Sequence, residues 1–260
     1  MGMAPLAVTT LWWREITRFR RQRSRVFGAL GQPLVFWLLL GSGFSASFRP
    51  PGGPAEMDYL EYFYPGIMAL VILFTAIFAT ISVVEDRREG FLQGVLVAPT
   101  TRASIVLGQA LGGTTLALIQ GGLFLLLAPI AGVGLSVGAV MAVIVVLFCL
   151  AFSLTNLGLI IAWRMQSTQG FHAIMNVILL PIWLLSGAFF PATGVPIWLA
   201  WIMRLNPLTY GMVALRRCLY LTHTPAAGPL LALAPALAVT VLFGAVTFAV
   251  AIYTAKRSTL

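Results

Sequence analysis

The sequence contains few charged residues, and the scarcity of lysine is the most informative part of that shortage. Charged side chains account for 9% of the 260 residues, and hydrophobic side chains for 60%. The one lysine, Lys256, follows an alanine, whereas a phosphate-binding P-loop needs a Gly-Lys pair followed by Ser or Thr. The sequence therefore contains no such loop. An ATP-driven activity would require an ATPase on a separate chain, so we expect this chain not to be an enzyme.

Acidic residues are also scarce, and none follows Glu89. Secondary transporters driven by protons or sodium normally use carboxylates inside their spans. The few acids of this chain lie outside its long apolar runs, which disfavours a secondary transporter as the alternative function. The two cysteines, Cys149 and Cys218, have neither a redox nor a metal-ligand spacing. We therefore predict no metal site and no cofactor bound by this chain.

Long apolar runs dominate the rest of the sequence and indicate an all-α integral membrane protein. The mean hydropathy is +0.96, and about 20 helical residues cross the roughly 30 Å hydrocarbon layer. We predict a single transmembrane domain over 1–260, with six transmembrane helices at 26–48, 62–84, 104–130, 137–163, 171–188 and 230–253. Six spans place both termini on one side, and the arginine-rich N-terminal segment assigns that side to the cytoplasm. The net charge of +9 follows from basic residues at the ends of apolar runs and does not indicate nucleic-acid binding.

The first 25 residues have the pattern of an amphipathic helix. Trp12, Ile16 and Phe19 recur at helical spacing, and Arg14 and Arg18 recur on another face. Basic amphipathic helices of this kind lie in the interface of an anionic leaflet. We therefore predict a cytoplasmic interface helix over 1–25.

The densest cluster of charge lies between the second and third predicted spans, over 85–103. It contains both signs of charge, in Glu85, Asp86, Arg87, Arg88 and Glu89. An apolar side follows, formed by Phe91, Leu92, Val95 and Leu96. Pro99 then disfavours helix at the residue before it. A short helix that is charged at its start and apolar along one side suits docking to a partner protein, and a solvated loop is the alternative.

Residues 189–220 are too interrupted for a span and too apolar for a free loop. We predict a re-entrant pair of short helices that dip into the outer leaflet and break at Asn206-Pro207. Irregular backbone at that depth is tolerated only where protein or water surrounds it. Arg204 and Arg216 are expected near the outer surface. The candidate gate residues are Phe189, Phe190, Pro191, Asn206, Pro207 and Tyr210.

Few polar side chains occur within the predicted spans. His172 and Asn176 are four residues apart and therefore share one helix face. Ser153 and Asn156 lie on the fourth predicted span. Polar groups at this depth either line a path for cargo or form hydrogen bonds between helices, and the sequence leaves both interpretations open.

Two motifs resemble those of ABC-2-type transporter permeases, in the form closest to daunorubicin-resistance and nodulation exporters. The first is Glu89-Gly90-Phe91-Leu92 followed by Leu96-Val97-Ala98-Pro99. The second is Ser186-Gly187-Ala188-Phe189-Phe190-Pro191 followed by Asn206-Pro207-Leu208-Thr209-Tyr210. Both motifs occupy the topological positions expected in that family, and the resemblance covers almost the whole chain.

The resemblance implies a permease that dimerises, binds two separate ATPase subunits and exports an amphiphilic, lipid-like or drug-like substrate across the cytoplasmic membrane. ATP and Mg would be bound by the ATPase partner. The resemblance further implies that the outer helix pair forms a gate and that the N-terminal helix lies beside the ATPase-coupling segment at 85–103. The coupling residues that it implies are Glu85, Asp86, Arg87, Arg88, Glu89, Gly90, Phe91, Leu92, Leu96 and Pro99.

An intramembrane serine protease is the remaining alternative, suggested by Ser186-Gly187 and the two histidines. Such an enzyme needs glycine two residues before its serine, where Leu184 stands. His172 lies on the same predicted span as the serine, and His223 lies outside the spans. The sequence therefore disfavours this enzyme class.

Overall fold

The computed structural model describes residues 3–21, 23–44, 59–190, 195–220 and 232–257. Every regular element in these ranges is a helix and none is a strand, which confirms the all-α prediction. The helices are α1 (Met3–Arg21), α2 (Arg23–Phe44), α3 (Tyr59–Ala79), α4 (Ile81–Arg88), α5 (Phe91–Val97), α6 (Arg102–Leu125), α7 (Val137–Ala162), α8 (Thr168–Trp183), α9 (Ile197–Leu205), α10 (Pro207–Leu219) and α11 (Leu233–Arg257). A π-helical turn, Leu184–Ala188, continues α8.

Five helical stretches in the described residues are long and apolar enough to cross a membrane. They are Tyr59–Arg88, Arg102–Leu125, Val137–Ala162, Thr168–Ala188 and Leu233–Arg257. A shorter apolar stretch, Gly31–Phe44, forms most of α2. The chain is therefore a multi-pass membrane protein, and the sixth span stays a prediction. Residues 45–48 of the first predicted span and 230–231 of the last lie outside the described residues.

Helix α3 lies at the centre of the bundle, packed against α2, α6 and α7. Phe63, Tyr64 and Ile67 have no exposed surface, as expected for a helix that is apolar on all sides. A break at Thr80, whose hydroxyl donates to the carbonyl oxygen of Ile77 at 2.7 Å, separates α3 from α4. Helix α4 therefore begins in the core of the bundle and ends in the charged residues that start at Glu85.

Helix α1 crosses α6 at two glycines, Gly108 and Gly112. A Cβ atom on Gly108 would lie 2.9 Å from the Cβ of Leu11, and one on Gly112 would lie 2.7 Å from the Cβ of Glu15. Carbon atoms of packed side chains normally stay about 3.5–4.0 Å apart. The absence of side chains at these two positions therefore lets α1 lie directly on α6.

Helices α9 and α10 meet at Asn206, which ends one helix and caps the next. Its Oδ1 accepts a hydrogen bond from the backbone N–H of Leu208 at 3.1 Å, and Pro207 occupies the first turn of α10, where a missing N–H is tolerated. The Nδ2 of Asn206 donates to the carbonyl oxygen of Ile182 at 2.6 Å. One side chain thus fixes both the break between the helices and its position against α8.

Candidate functional site

The charged segment at 85–103 is not one continuous helix. Helix α4 ends at Arg88, and Gly90 adopts a φ of 76° before α5 begins at Phe91. Only glycine adopts that left-handed conformation without strain. The chain therefore turns between the charged residues and the apolar residues, and α5 projects from the end of α4 as a separate short helix.

Four side chains form an ion-pair cluster between α1 and α4. The guanidinium of Arg14 binds both carboxylate oxygens of Asp86, at 2.6 and 2.5 Å. Arg18 binds Asp86 at 2.9 Å and Glu85 at 2.6 Å. Asp86 is 1% exposed, so its charge depends on these two arginines. Arg14 and Arg18 of α1 are therefore directed at α4, and the contact of α1 with an anionic leaflet stays a prediction.

The two arginines of α4 extend the network to the connection between α7 and α8. Arg87 donates to the carbonyl oxygens of Trp163 at 2.7 Å and Met165 at 3.0 Å. Arg88 is exposed, and its Nη1 lies 3.4 Å from the hydroxyl of Thr168. Helix α4 is thus held by polar contacts both to α1 and to the start of α8.

Helix α5 combines one buried anchor with an exposed surface. Leu92 is 1% exposed and holds α5 on the bundle, whereas Phe91 is 41% and Val97 80% exposed. The guanidinium carbon of Arg14 lies 3.9 Å from the centre of the Phe91 ring, an arrangement that is favourable for a cation over an aromatic face. Leu96 is half-buried, and Gly90 and Pro99 are exposed. The accessible part of this segment is therefore apolar and aromatic beside the cluster of charges.

A cavity of about 520 Å³ lies beside α1, between α3, α6 and α8. Its polar lining includes His172 and Asn176, two of the four polar residues singled out within the predicted spans. The cavity is lined by Glu15, Arg18, Phe19, Gln32, Phe74, Thr75, Phe78, Ala79, Leu116, His172, Asn176 and Leu180. Polar and aromatic side chains are adjacent in this lining: the centroids of the Phe78 and His172 rings are 5.1 Å apart.

Ser153 and Asn156 do not reach this cavity. The hydroxyl of Ser153 lies 2.6 Å from the carbonyl oxygen of Cys149 and 3.2 Å from that of Thr240 on α11. The Nδ2 of Asn156 donates to the carbonyl oxygen of Phe152 at 2.8 Å. Both side chains are buried. The contact to Thr240 on α11 supports helix–helix hydrogen bonding for Ser153, whereas His172 and Asn176 line the cavity.

Glu15 is a cavity residue that the sequence analysis missed. It is 5% exposed, and burial raises the pKa of its carboxyl group to about 7, with further upward pressure from the neighbouring Asp86. Attraction by Arg14 and a hydrogen bond from Ser82 act in the opposite direction. The signal in the sequence was an isolated acid between the basic residues of an amphipathic helix.

The candidate gate residues that the structure describes cluster around the π-helical turn and α10. The ring of Phe189 packs 5.6 Å from Phe63 and 6.2 Å from Trp183. The hydroxyl of Tyr210 donates to the carbonyl oxygen of Arg204 at 2.8 Å. Phe190 is half-buried and packs edge-on against Phe189. Pro191 lies outside the described residues.

Arg216 differs from the expectation of an exposed outer arginine. It is 7% exposed, its Nη2 donates to the carbonyl oxygen of Gly187 at 2.9 Å, and its guanidinium lies 4.3 Å from the centre of the Tyr62 ring. These two contacts replace part of the hydration of the cation. Arg204 is exposed, as predicted.

Ser186 has no geometry for nucleophilic catalysis in the described part of the chain. Its hydroxyl is 1% exposed and donates to the carbonyl oxygen of Trp183 at 2.6 Å. His172 instead lines the cavity, 14 positions earlier on the same stretch, Thr168–Ala188. Within the described residues, His172 is therefore not placed as a base for Ser186.

Comparison with known proteins gives a consistent set of matches. The family model described as "ABC-2 type transporter" matches residues 7–220. "Putative transport permease ycf38" of Cyanophora paradoxa is 30% identical over 206 residues, which are 78% of this chain and 70% of that protein. Nodulation protein J of Rhizobium leguminosarum bv. trifolii is 26% identical over 210 residues, 79% of this chain and 78% of that protein. The daunorubicin resistance ABC transporter permease protein DrrB1 of Streptomyces coeruleorubidus is 23% identical over 223 residues, 82% of this chain and 75% of that protein.

Proposed function

The chain belongs to the ABC-2 type transporter family and is a permease subunit of an ABC transporter, and from this premise we propose that it exports an amphiphilic, lipid-like or drug-like substrate. A separate ATPase subunit, which binds ATP and Mg, powers the export. The chain lies in the cytoplasmic (inner) membrane with both termini in the cytoplasm. A second copy of the chain completes the permease, and two ATPase subunits dock on the pair.

The main support for the proposal is the exposed apolar surface of α5, next to α4, which ion pairs and hydrogen bonds hold against the bundle. Phe91 and Val97 present apolar surface, while Leu92 fixes α5 from below and the arginines of α1 and α4 fix its neighbour α4. Partly exposed aromatic side chains beside charges are typical of interface hot spots. A partner that pushes on α5 would displace α1, α4 and the α7–α8 connection together.

The lining of the cavity supports an amphiphilic substrate. Its walls combine phenyl rings at Phe74 and Phe78 with polar groups at His172 and Asn176. Binding sites of this composition fix the polar end of a ligand with a few polar groups and bury its apolar body. An amphiphile can contact both the polar and the aromatic side chains of this lining, whereas a free ion or a sugar would make little contact with the aromatic ones.

Reconstitution of the permease tests the proposal. Proteoliposomes that contain this chain together with its partner ATPase subunit should export a fluorescent amphiphile when ATP and Mg are supplied. Proteoliposomes with the chain alone should neither hydrolyse ATP nor export the probe. Efflux that persists without any ATPase, or ATP hydrolysis by the pure chain that a mutation in it abolishes, would overturn the proposal.

A further inference from the structure

The balance of charge around Glu15 determines what the cavity can bind. In the adjoining cluster, the two guanidinium groups of Arg14 and Arg18 are matched by the two carboxylates of Asp86 and Glu85. Glu15 brings a third carboxyl group to the same place. Its Oε1 is only within 3.5 Å of Arg14, whose two terminal nitrogens already bind Asp86.

Glu15 is therefore more weakly paired with the two arginines than Asp86 or Glu85, because its closest contact to them is the 3.5 Å approach to Arg14. It is 5% exposed and lines the cavity. A buried carboxylate without a matching cation is costly, whereas the same carboxylate beside a bound cation is stabilised. A cationic ligand in the cavity would thus complete the charge balance of the site. An anion would find both arginines engaged.

Aromatic side chains in the same lining fit the rest of such a ligand. Phe74 and Phe78 come from α3 and Phe19 from α1, so three phenyl rings face the same space as Glu15. Aromatic faces attract ammonium groups and also contact alkyl chains favourably. The geometry points to a binding site for an amphiphilic amine, with the carboxylate of Glu15 as counter-ion of the ammonium group and the phenyl rings against its apolar part. This inference rests on the proposed function and narrows its substrate class.

Binding of a quaternary ammonium probe tests the site directly, because the probe keeps its charge at every pH. The full chain is purified into phosphatidylcholine nanodiscs, and binding of radiolabelled decyltrimethylammonium is measured by equilibrium dialysis against protein-free nanodiscs. Decyl sulfate serves as the anionic probe of equal chain length. The wild-type chain should prefer the ammonium probe.

Glu15→Gln removes the charge and keeps the shape, and it should weaken binding of decyltrimethylammonium about tenfold or more, as expected when one partner of a buried charge pair is lost. Glu61→Gln makes the same chemical change on the first turns of α3, away from the cavity, and should leave binding unchanged. Equal affinity of wild type and Glu15→Gln for the ammonium probe overturns the inference. So does a preference of the wild type for decyl sulfate.

A gain of binding provides a second test that does not depend on the folding of Glu15→Gln. Asn176→Asp adds a carboxylate to the same cavity from an exposed position on α8. It should strengthen binding of decyltrimethylammonium several-fold, and unchanged or weaker binding counts against the site. None of these measurements includes the ATPase. The ammonium site can therefore fail while ATP-dependent export is still observed, and export can fail while the site binds the probe.

The pH dependence of binding adds a readout that a purely structural role for Glu15 would not produce. Among the residues whose side chains the structure describes, the charged and titratable groups around Glu15 are Arg14 and Arg18 on α1, Asp86 on α4, and His172 in the lining of the same cavity. Binding of the permanently charged probe should increase between pH 6 and pH 8 as the Glu15 carboxyl loses its proton. The increase should persist in His172→Gln and disappear in Glu15→Gln. An increase that is lost in His172→Gln but kept in Glu15→Gln would contradict the assignment.

Discussion

Arg14 and Asp86 form a bidentate ion pair, with both guanidinium nitrogens 2.6 and 2.5 Å from the two carboxylate oxygens. The pair joins the N-terminal helix to the charged end of α4 across 72 positions of sequence. Removal of one partner leaves a charge that is shielded from water. This makes the pair more sensitive to mutation than an exposed ion pair of the same type.

We expect Asp86→Asn to lower the free energy of unfolding by about 3 kcal/mol, near the lower end of the range for broken buried pairs because Arg14 is a quarter exposed. Glu89→Gln is the control, since its side chain is 64% exposed, and should change stability little. Chemical unfolding in detergent micelles measures both. A double-mutant cycle with Arg14→Ala should give a coupling energy well above zero. Strict additivity of the two changes would show that the pair contributes nothing.

The coupling surface can be tested with two substitutions on either side of Gly90. Phe91→Ala removes a partly exposed aromatic side chain and should weaken ATPase docking by about 2 kcal/mol or more. Arg88→Glu reverses an exposed charge and should cost roughly 0.2–1 kcal/mol. Pull-down of the ATPase and export of a fluorescent amphiphile are compared for both variants, which should insert and dimerise normally. Wild-type docking and export in Phe91→Ala would favour a solvated loop at this position.

Glu15 should make stability fall as the pH rises from about 4.5 to about 7. The folded chain holds the proton on this buried carboxyl group up to a pKa of about 7, whereas the unfolded chain releases it near 4.5. Its contribution, on the order of 3 kcal/mol, is therefore complete below the unfolded pKa and is lost through the folded pKa. Thermal unfolding of wild type and Glu15→Gln between pH 5 and pH 8 provides the measurement. The wild type should lose stability relative to Glu15→Gln over this range, and parallel curves would contradict the raised pKa.

The crossing of α1 and α6 can be tested with two glycines of α6. Gly112→Leu places a side chain where even a Cβ would lie 2.7 Å from Glu15, so it should displace α1 and impair export. Gly122→Leu is the matched control, because no heavy atom lies within 4 Å of a Cβ built there. Protease sensitivity of the N-terminal segment should increase for Gly112→Leu alone. Equal behaviour of both variants would mean that α1 does not need its contact with α6.

The outer arginines should differ in their accessibility to a membrane-impermeant thiol reagent. Arg204→Cys should react when the reagent is added outside intact cells, because Arg204 is exposed on α9. Arg216→Cys should react slowly or not at all, because Arg216 is 7% exposed and lies between Gly187 and Tyr62. The native cysteines are replaced by serine beforehand. Rapid labelling at position 216, or labelling of position 204 only from the cytoplasm, would contradict this arrangement.

The helices of this protein could be predicted from the sequence because their signals are local. An apolar run of about 25 residues is enough to predict α7 from hydropathy. The pair Asn206-Pro207 is enough to predict the start of α10, because asparagine caps helices and proline is favoured in their first turn. The turn at Gly90 was less visible. Glycine also occurs inside helices, as at Gly94 in α5, so its presence alone does not mark a turn.

The candidate site depended on pairings between distant parts of the chain, and these could not be predicted. Helical spacing groups Arg14 with Arg18, but it does not show that both bind Asp86. Periodicity likewise places His172 and Asn156 within helices without showing which neighbour each one faces. The structure assigns the first to a cavity and the second to the interior of the bundle. Glu15 was overlooked for the same reason, since its burial depends on α4 and α6.

The burial of most of α3 has a mechanical consequence. Among the 18 consecutive residues that form the apolar part of each stretch, 83% are buried in Tyr59–Arg88, against 33% in Thr168–Ala188 and 28% in Leu233–Arg257. A helix that is packed around most of its circumference cannot tilt without opening voids, which close-packed interiors resist. Helix α3 is therefore the helix least able to tilt, whereas α8 and α11 have fewer packed neighbours. Arg87, on α4 at the end of the same stretch, bonds the carbonyl oxygens of Trp163 and Met165, so a displacement of α4 would be passed to the connection between α7 and α8.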